Sequence, residues 1–284
     1  MELIRKVLPR DHNLFLFGDD HEGNTLRHDE GWEQLVDMMH SEYAGCSNNF
    51  GVDHGDIVEA IPASDPRWYA KEEKSFYIDQ IQQAVKNRQK IKDLLIAILD
   101  GNHPMKYWRF GNATQNICDQ LGVRFGTWSC HITYLNKNNA PMYKQFATHG
   151  ARIFRSSADD PIRQDSNKKL SVKRALKNKF ADTVLNSVGH SHGLIICEPQ
   201  QGLYLNASDK ISQHYTKSKP TDDYIPDNLR WYVNTGSFLK LFALGFSGYA
   251  ERAGYDPIEL GFAIARIRDG LIQGIDKIVI SSKH

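Results

Sequence analysis

The hydrophobic pattern of the chain alternates between strands and helices at first and then predicts mostly strands. Short apolar runs bounded by glycine or polar residues are typical of buried strands. By this pattern, strands are predicted over residues 14–17, 50–52, 94–99, 128–135, 142–147, 184–188, 194–197, 203–206, 231–234, 262–267 and 277–280.

Apolar residues at helical spacing predict helices over 30–43 and 71–91. The apolar face of the second helix is predicted to contain Phe76, Ile78, Ile81 and Val85. A third helix is expected to begin at Asn112, whose side chain can cap it, and to end before Gly122.

This order of elements favours an α/β (α+β) fold, a two-sheet β-sandwich flanked by helices. A doubly wound sheet with an appended β portion is the alternative. Because no linker or internal repeat interrupts the pattern, we predict a single domain over residues 1–284 with a basic insertion at about 151–180.

Composition narrows the class of protein. The chain is 40% hydrophobic and 24% charged, which is ordinary for a globular protein. A formal net charge of +1 argues against wrapping of nucleic acid over the whole surface, although a local basic patch remains possible. Four scattered cysteines, no signal peptide and no long apolar run predict a reduced, cytoplasmic protein without a membrane partner.

Asp, Asn and His residues recur where predicted strands end. The five segments are Gly18-Asp19-Asp20-His21, Gly55-Asp56, Gly101-Asn102-His103, His149-Gly150 and Gly189-His190-Ser191-His192. Each alone has an ordinary explanation, such as a turn, a helix cap or an exposed histidine. Together they indicate a shared metal site, because oxygen and imidazole donors without thiolate suit borderline divalent ions. We expect two ions, with manganese favoured and iron, zinc, nickel or magnesium as alternatives.

The order and approximate spacing of these segments resemble the motifs of the calcineurin-like metallophosphoesterases. The resemblance spans about residues 13–193, and Asn234-Thr235-Gly236-Ser237 resembles the later Asn-x-Gly-Ser turn of that family. It implies an enzyme that hydrolyses phosphate esters, with a dinuclear metal site at the strand ends of a two-sheet sandwich.

The resemblance also implies a role for each residue. The first metal would be held by Asp19, His21 and His192. The second would be held by Asn102, His149 and His190. Asp56 would bridge the two ions, and a bridging hydroxide would be the nucleophile. His103 would be catalytic, lying beside the phosphate to stabilise the transition state or to protonate the leaving group.

Two positions depart from the family pattern. Glu59 stands where the family often has Asp, and Pro104 stands where it often has Asp or Glu. Neither is an implied ligand, so the departures affect only the surroundings of the site. The Arg that follows the Gly-Asp motif in Ser/Thr protein phosphatases is missing here. The sequence therefore favours a phosphodiesterase acting on a nucleic acid or nucleotide, for example a nuclease. The alternatives are a phosphomonoesterase on a small phosphorylated substrate and, in another class, a binding protein without turnover.

A basic segment supports the nucleic acid hypothesis. Residues 152–179 contain nine Lys or Arg against three Asp. Such a run is usually a solvated helix or loop, but it could form a basic wall for DNA, RNA or a nucleotide. The candidate substrate-binding residues are Arg67, Arg152 and Arg155. Candidate base-stacking aromatics, most of which we expect to be core residues, are Trp68, Tyr69, Trp108, Trp128, Trp231, Tyr232, Tyr249 and Tyr255.

Three further residues lie beside the motifs. His54 is predicted to be exposed to solvent, with a position behind the metal ligands as the alternative. Asp20 is expected in a loop near the metals, and Asp53 is expected to be structural. The sequence does not indicate which oligomeric state the protein adopts.

Overall fold

A computed structural model describes residues 1–65, 68, 76–245 and 248–280. The strands of this part of the chain are β1 (Glu2–Val7), β2 (His12–Phe17), β3 (Asn49–Asp53), β4 (Leu95–Ile98), β5 (Ser129–Leu135), β6 (Pro141–Thr148), β7 (Leu185–Val188), β8 (Leu194–Cys197), β9 (Leu203–Ala207), β10 (Ile211–Tyr215), β11 (Trp231–Thr235), β12 (Gly261–Arg268) and β13 (Leu271–Val279). The helices are α1 (Asp29–His40), α2 (Tyr77–Gln89), α3 (Ala113–Leu121), α4 (Pro161–Leu176) and α5 (Tyr249–Arg252). Short 3-10 helices cover Lys92–Leu94, Pro104–Phe110 and Asp227–Leu229.

The strands form two large sheets and one separate hairpin. The six-stranded sheet has the order β1-β5-β6-β7-β11-β8, and the five-stranded sheet has the order β13-β12-β2-β3-β4. Both sheets mix parallel and antiparallel neighbours. Among the described strands, β9 and β10 pair only with each other. The fold is therefore of the predicted mixed α/β class.

Strand β2 shows how the sequence builds the layers, because all six of its residues are buried. Successive side chains of a strand point to opposite faces. Leu14 and Leu16 join a hydrophobic cluster that draws residues from both large sheets. Phe15 and Phe17 join a second cluster, which contains residues of α1, α2 and α3. An uninterrupted apolar run is required here because both faces of the strand are covered.

Two of the predicted helices are confirmed. Helix α3 has both predicted boundaries: Asn112 accepts from the Gln115 N–H at 2.8 Å, and the helix ends at Gly122 with φ 69°. These two boundaries depend on local chemistry and can therefore be read from the sequence. Helix α1 ends at His40, before its predicted end at residue 43, and its cap was not predicted: Nδ1 of His28 accepts a hydrogen bond from the Gly31 N–H at 2.9 Å.

The prediction for the second helix was partly wrong. Residues 71–75 lie outside the described part of the chain, and α2 covers Tyr77–Gln89. Phe76 and Ile78 of the predicted apolar face are 86% and 64% exposed. The helix instead buries Gln80, Ala84, Asn87 and Arg88. Its buried face is largely polar because these side chains bind the loops that carry the candidate metal ligands.

Two strands escaped the hydrophobic pattern. In β1 only Ile4 is buried, because the strand lies at the edge of its sheet. Strand β10 is exposed along most of its length, as is its partner β9. Strand β9 was predicted nevertheless, because Leu203, Tyr204 and Leu205 form an apolar run that β10 lacks. An exposed strand without such a run leaves no hydrophobic signal to detect. The last predicted strand, 277–280, belongs to the longer β13.

The predicted basic insertion contains α4. Asp160 caps this helix, and Val172 and Leu176 pack in a cluster with residues of the six-stranded sheet. Among the described helices, none has the length and apolar character needed to cross a bilayer.

A buried histidine links the two sheets and makes stability depend on pH. Nδ1 of His12 donates to the Pro9 carbonyl oxygen, and Nε2 accepts from the Tyr143 hydroxyl, both at 2.7 Å. Burial lowers the pKa of His12 from 6.5 to about 4. The unfolded chain therefore takes up a proton below pH 6.5 that the folded ring takes up only near pH 4, so stability falls as pH drops through this window.

We predict that His12→Gln removes this pH dependence. The difference in unfolding free energy between wild type and variant should shrink by about 2 kcal/mol from pH 7 to pH 5, since one unit of pKa corresponds to about 1.4 kcal/mol. Urea unfolding at the two pH values measures it. An unchanged difference would mean that His12 is not neutral in the folded protein.

Candidate metal centre

The predicted donors meet because they follow neighbouring parallel strands. Strands β2, β3 and β4 run parallel in one sheet, and β6, β7 and β11 run parallel in the other. The carboxyl ends of parallel neighbours share one edge of a sheet, where ligands commonly bind. The structure brings together all the predicted ligands at this edge: Asp19, His21, Asp56, Asn102, His149, His190 and His192.

The backbone of these loops is strained. Ten described residues other than glycine have positive φ, and half of them are predicted ligands. These five are Asp19, His21, Asp56, His190 and His192, with φ between 48° and 66°. A left-handed conformation costs a residue with a side chain on the order of 1–2 kcal/mol. Strain of this kind concentrates at functional sites, where neighbouring contacts hold it in place.

One donor group contains Asp19, His21 and His192. Their candidate ligand atoms lie within 4.8 Å of one another. Nδ1 of His21 donates to the Glu59 carboxylate at 2.8 Å, so in the neutral ring Nε2 carries a lone pair. That lone pair faces Nε2 of His192 at 3.2 Å. Nε2 of His192 in turn lies 3.8 Å from an Asp19 carboxylate oxygen.

The second donor group contains Asp56, Asn102, His149 and His190. Nδ1 of His149 donates to the His54 carbonyl oxygen at 2.7 Å, which leaves its Nε2 as the acceptor of the neutral ring. This nitrogen faces the Asn102 Oδ1 at 3.0 Å and an Asp56 carboxylate oxygen at 3.4 Å. Nδ1 of His190 reaches the same Asn102 oxygen at 2.7 Å.

Both groups thus bring ring nitrogens and oxygen acceptors face to face in buried surroundings. Such contacts are costly unless a positive charge, either a proton or a metal ion, lies between the atoms. Imidazole nitrogen, carboxylate oxygen and amide oxygen are donors that divalent transition metals accept. The residues present therefore fit the binding of metal ions.

The pKa values show where protons compete for these positions. Burial opposes charge on both rings, but Glu59 raises the pKa of His21 and Asp56 raises that of His149, each to about 9. Burial, together with the charge of neighbouring rings, lowers the pKa of His190 to about 4 and that of His192 well below 6.5. Cation binding must displace the protons on the first two rings.

His103 belongs to neither predicted ligand set, but with His21 and Glu59 it forms a third group whose candidate ligand atoms lie within 4.8 Å of one another. Its backbone N–H donates to an Asp56 carboxylate oxygen at 2.9 Å, and its Nδ1 donates to the Glu59 carbonyl oxygen at 2.6 Å. The residue is 4% exposed and lines a cavity of 780 Å³ together with Asp56, Asn102 and both histidines of the His190-Ser191-His192 segment. Nε2 is the ring nitrogen left to meet a ligand in that cavity.

The candidate substrate-binding residues differ in position. Arg155 lines the cavity, and its guanidinium lies 4.4 Å from the centre of the Tyr255 ring. Arg152 is exposed and is not among the described residues that line the cavity. Arg67 lies outside the described residues. Lys168 of α4 also lines the cavity.

Arg88 is a supporting residue that the sequence analysis did not identify. Its side chain is fully buried and bonds to Asp20 and Asp53, with its Nη2 at 2.7 and 2.8 Å from their carboxylates. It also lies 4.7 Å from the centre of the Trp32 ring. Asp20 stands between two candidate ligands, and Asp53 ends the strand that leads to Asp56. Arg88 therefore ties together the two loops that carry Asp19, His21 and Asp56.

The predicted exposure of His54 was wrong, and the alternative, a position behind the candidate ligands, agrees with the structure. This histidine is fully buried rather than exposed, and its Nε2 contacts the Ser187 hydroxyl at 2.8 Å. It is buried because it lies where the two sheets meet, with its carbonyl oxygen held by His149. Glu59, noted only as a departure from the family pattern, is the buried partner of His21.

The Asn234-Thr235-Gly236-Ser237 turn also supports the donor loops. The Asn234 amide donates to the Ser191 hydroxyl at 2.5 Å and to the Gly193 carbonyl oxygen. The Ser237 hydroxyl donates to the Asp19 carbonyl oxygen at 2.7 Å. The end of β11 therefore holds both loops of the first donor group.

No protein-family model matches the chain, and a search of curated proteins found no matching sequence.

We predict that Arg88→Leu strongly destabilises the protein. It leaves the buried Asp53 carboxylate without its guanidinium partner and Asp20 with Arg27 alone, at 3.3 Å. Removing one partner of a buried ion pair typically costs about 3–5 kcal/mol. Urea unfolding measures the loss. Lys90→Ala is the matched control, because the Lys90–Glu33 pair is about half exposed and should contribute at most about 1 kcal/mol. Equal losses in the two variants would contradict the role given to Arg88.

Proposed function

We propose that the protein is a metal-dependent phosphoesterase of the calcineurin-like class, and specifically a phosphodiesterase acting on a nucleic acid or nucleotide. The observation that carries this proposal is the meeting of two donor groups, with His103 beside them on a cavity wall. The motif resemblance supports it as well. In this proposal the two large sheets, which share one hydrophobic cluster, form the sandwich of that class.

The ligands would divide into two sets joined by one carboxylate. Asp19, His21 and His192 would hold one ion. Asn102, His149 and His190 would hold the other. Asp56 would bridge them. Its carboxylate lies 3.4 Å from His149. Its pKa is well below its usual range, because the charges of His149 and His103 outweigh the effect of burial. Bound divalent cations would neutralise charge on phosphoryl oxygens and activate the attacking water.

His103 would act on the substrate itself. Because its Nδ1 is held by the Glu59 carbonyl oxygen, the ring is fixed with Nε2 available to the cavity. From there it would hydrogen-bond a phosphoryl oxygen or deliver a proton to the leaving oxygen. Asp56 also accepts from the His103 N–H, so one carboxylate aligns the ligands and the catalytic residue.

A comparison of chromogenic esters tests the reaction class. With Mn²⁺ present, we expect hydrolysis of bis-p-nitrophenyl phosphate, loss of activity with EDTA and its return on adding Mn²⁺. If only p-nitrophenyl phosphate is cleaved, the protein is a phosphomonoesterase. Bound metal without turnover of DNA, RNA, cyclic nucleotides, dinucleotides or monoesters would indicate a binding protein instead.

His103→Ala tests the catalytic role. We expect turnover to fall by about 10²–10⁴-fold, the usual contribution of a positioned acid or base. Metal content, measured by plasma mass spectrometry, should stay the same because His103 is not a proposed ligand. His214→Ala is the matched control, since His214 is exposed on β10. Full activity in His103→Ala would refute the assignment.

A further inference from the structure

Two recesses adjoin the donor cluster and share Asn102 in their walls. The first recess is the 780 Å³ cavity, whose wall includes His103, His192 and Arg155. The second recess has a volume of 730 Å³ and is more open to solvent. Asn102 lines both. A ligand bound at Asn102 can therefore extend in two directions.

The second recess is lined mainly by apolar and aromatic side chains. Its wall includes Pro62, Met105, Trp108 and Trp128. Its one lysine, Lys106, is paired with Asp65 at 2.6 Å, so this pair adds little net charge among the described lining residues. A surface with this chemistry suits a flat apolar group rather than a phosphate.

Two tryptophans, Trp108 and Trp128, line the second recess. Trp128 is edge-on to His149, with 5.1 Å between the ring centres, so its end of the recess adjoins the donor cluster. Trp108 is 66% exposed, and the Arg109 guanidinium lies 5.5 Å from its ring centre. An exposed indole beside a guanidinium is the kind of platform on which nucleobases stack.

Trp108 belongs to a segment that packs against helix α2. It lies in the 3-10 helix Pro104–Phe110, which directly follows His103. Tyr107 of that helix stacks on Tyr77 of α2, with ring centres 4.0 Å apart. The segment that follows the catalytic candidate thus also carries the exposed indole, directly after a backbone kink at Tyr107.

From this arrangement we propose that the two recesses hold the two ester arms of a nucleotide phosphodiester, with the base of one arm stacked on Trp108. The inference rests on the proposed function and narrows its substrate. A monoester has one organic arm and would leave one recess empty. A diester with an unpaired base fills both recesses while its phosphate lies at Asn102.

The test uses a thymidine dinucleotide and two analogues, each lacking one of its two bases, with Mn²⁺-loaded protein. Trp108→Ala should lower kcat/KM for the complete dinucleotide by roughly 5- to 150-fold, mainly through KM, as expected for the loss of one stacked base. It should have no effect on the analogue that lacks the base of the second recess. Trp108→Phe should restore most of the loss.

Tyr215→Ala is the control, since Tyr215 is a half-exposed aromatic on β10, outside both recesses. It should match wild type on all three substrates. If Trp108→Ala also matches wild type while the dinucleotide is cleaved, the stacking proposal fails and the phosphodiesterase proposal survives. If wild type cleaves only monoesters, both fail.

Discussion

The site depends on one buried guanidinium. Arg88 contacts Asp20, in the loop after β2, and Asp53, the last residue of the adjacent parallel strand β3. Burying a charge is costly unless it is paired and fully hydrogen-bonded, and here two carboxylates and the Trp32 ring surround it. Asp20 lies between two candidate ligands, and Asp53 ends the strand that leads to Asp56. The ion pairs therefore fix the spacing of the two ligand-bearing loops before any metal binds.

Strain at the donor loops needs such support. The left-handed backbone at Asp19 is held by the Ser237 hydroxyl on its carbonyl oxygen and by the His190 N–H on its carboxylate. Space is also limited: a Cβ on Gly55, which has φ +92°, would lie 2.2 Å from the Asp100 carbonyl oxygen. The same Cβ would lie 3.1 Å from Nδ1 of His149, which follows a strand of the other sheet. A glycine at this position therefore lets loops of both sheets approach one another.

The sequence predicts the donor residues because their signal is local. Asp19 and Asp56 follow apolar runs whose burial is decided by their own residues, and the order of the motifs adds specificity. The support could not be predicted in this way. Arg88 lies 68 residues from Asp20 and 35 from Asp53, and its burial is a property of those partners. For the same reason the exposed face of α2 was predicted to be buried.

The cavity wall does not resemble a track for a long polyanion. In the basic segment, Lys173 and Lys177 lie against Asp227, and Lys169 pairs with Asp165. Along the wall, cations such as Arg155, Lys168 and Lys277 alternate with Asp165, Asp256 and Glu259. Backbone binding by counterion release requires unopposed rows of positive charge. If the metal centre neutralises the single phosphate, the two ester arms of the substrate can be selected by shape and stacking. Such selection is compatible with a chain whose net charge is only +1.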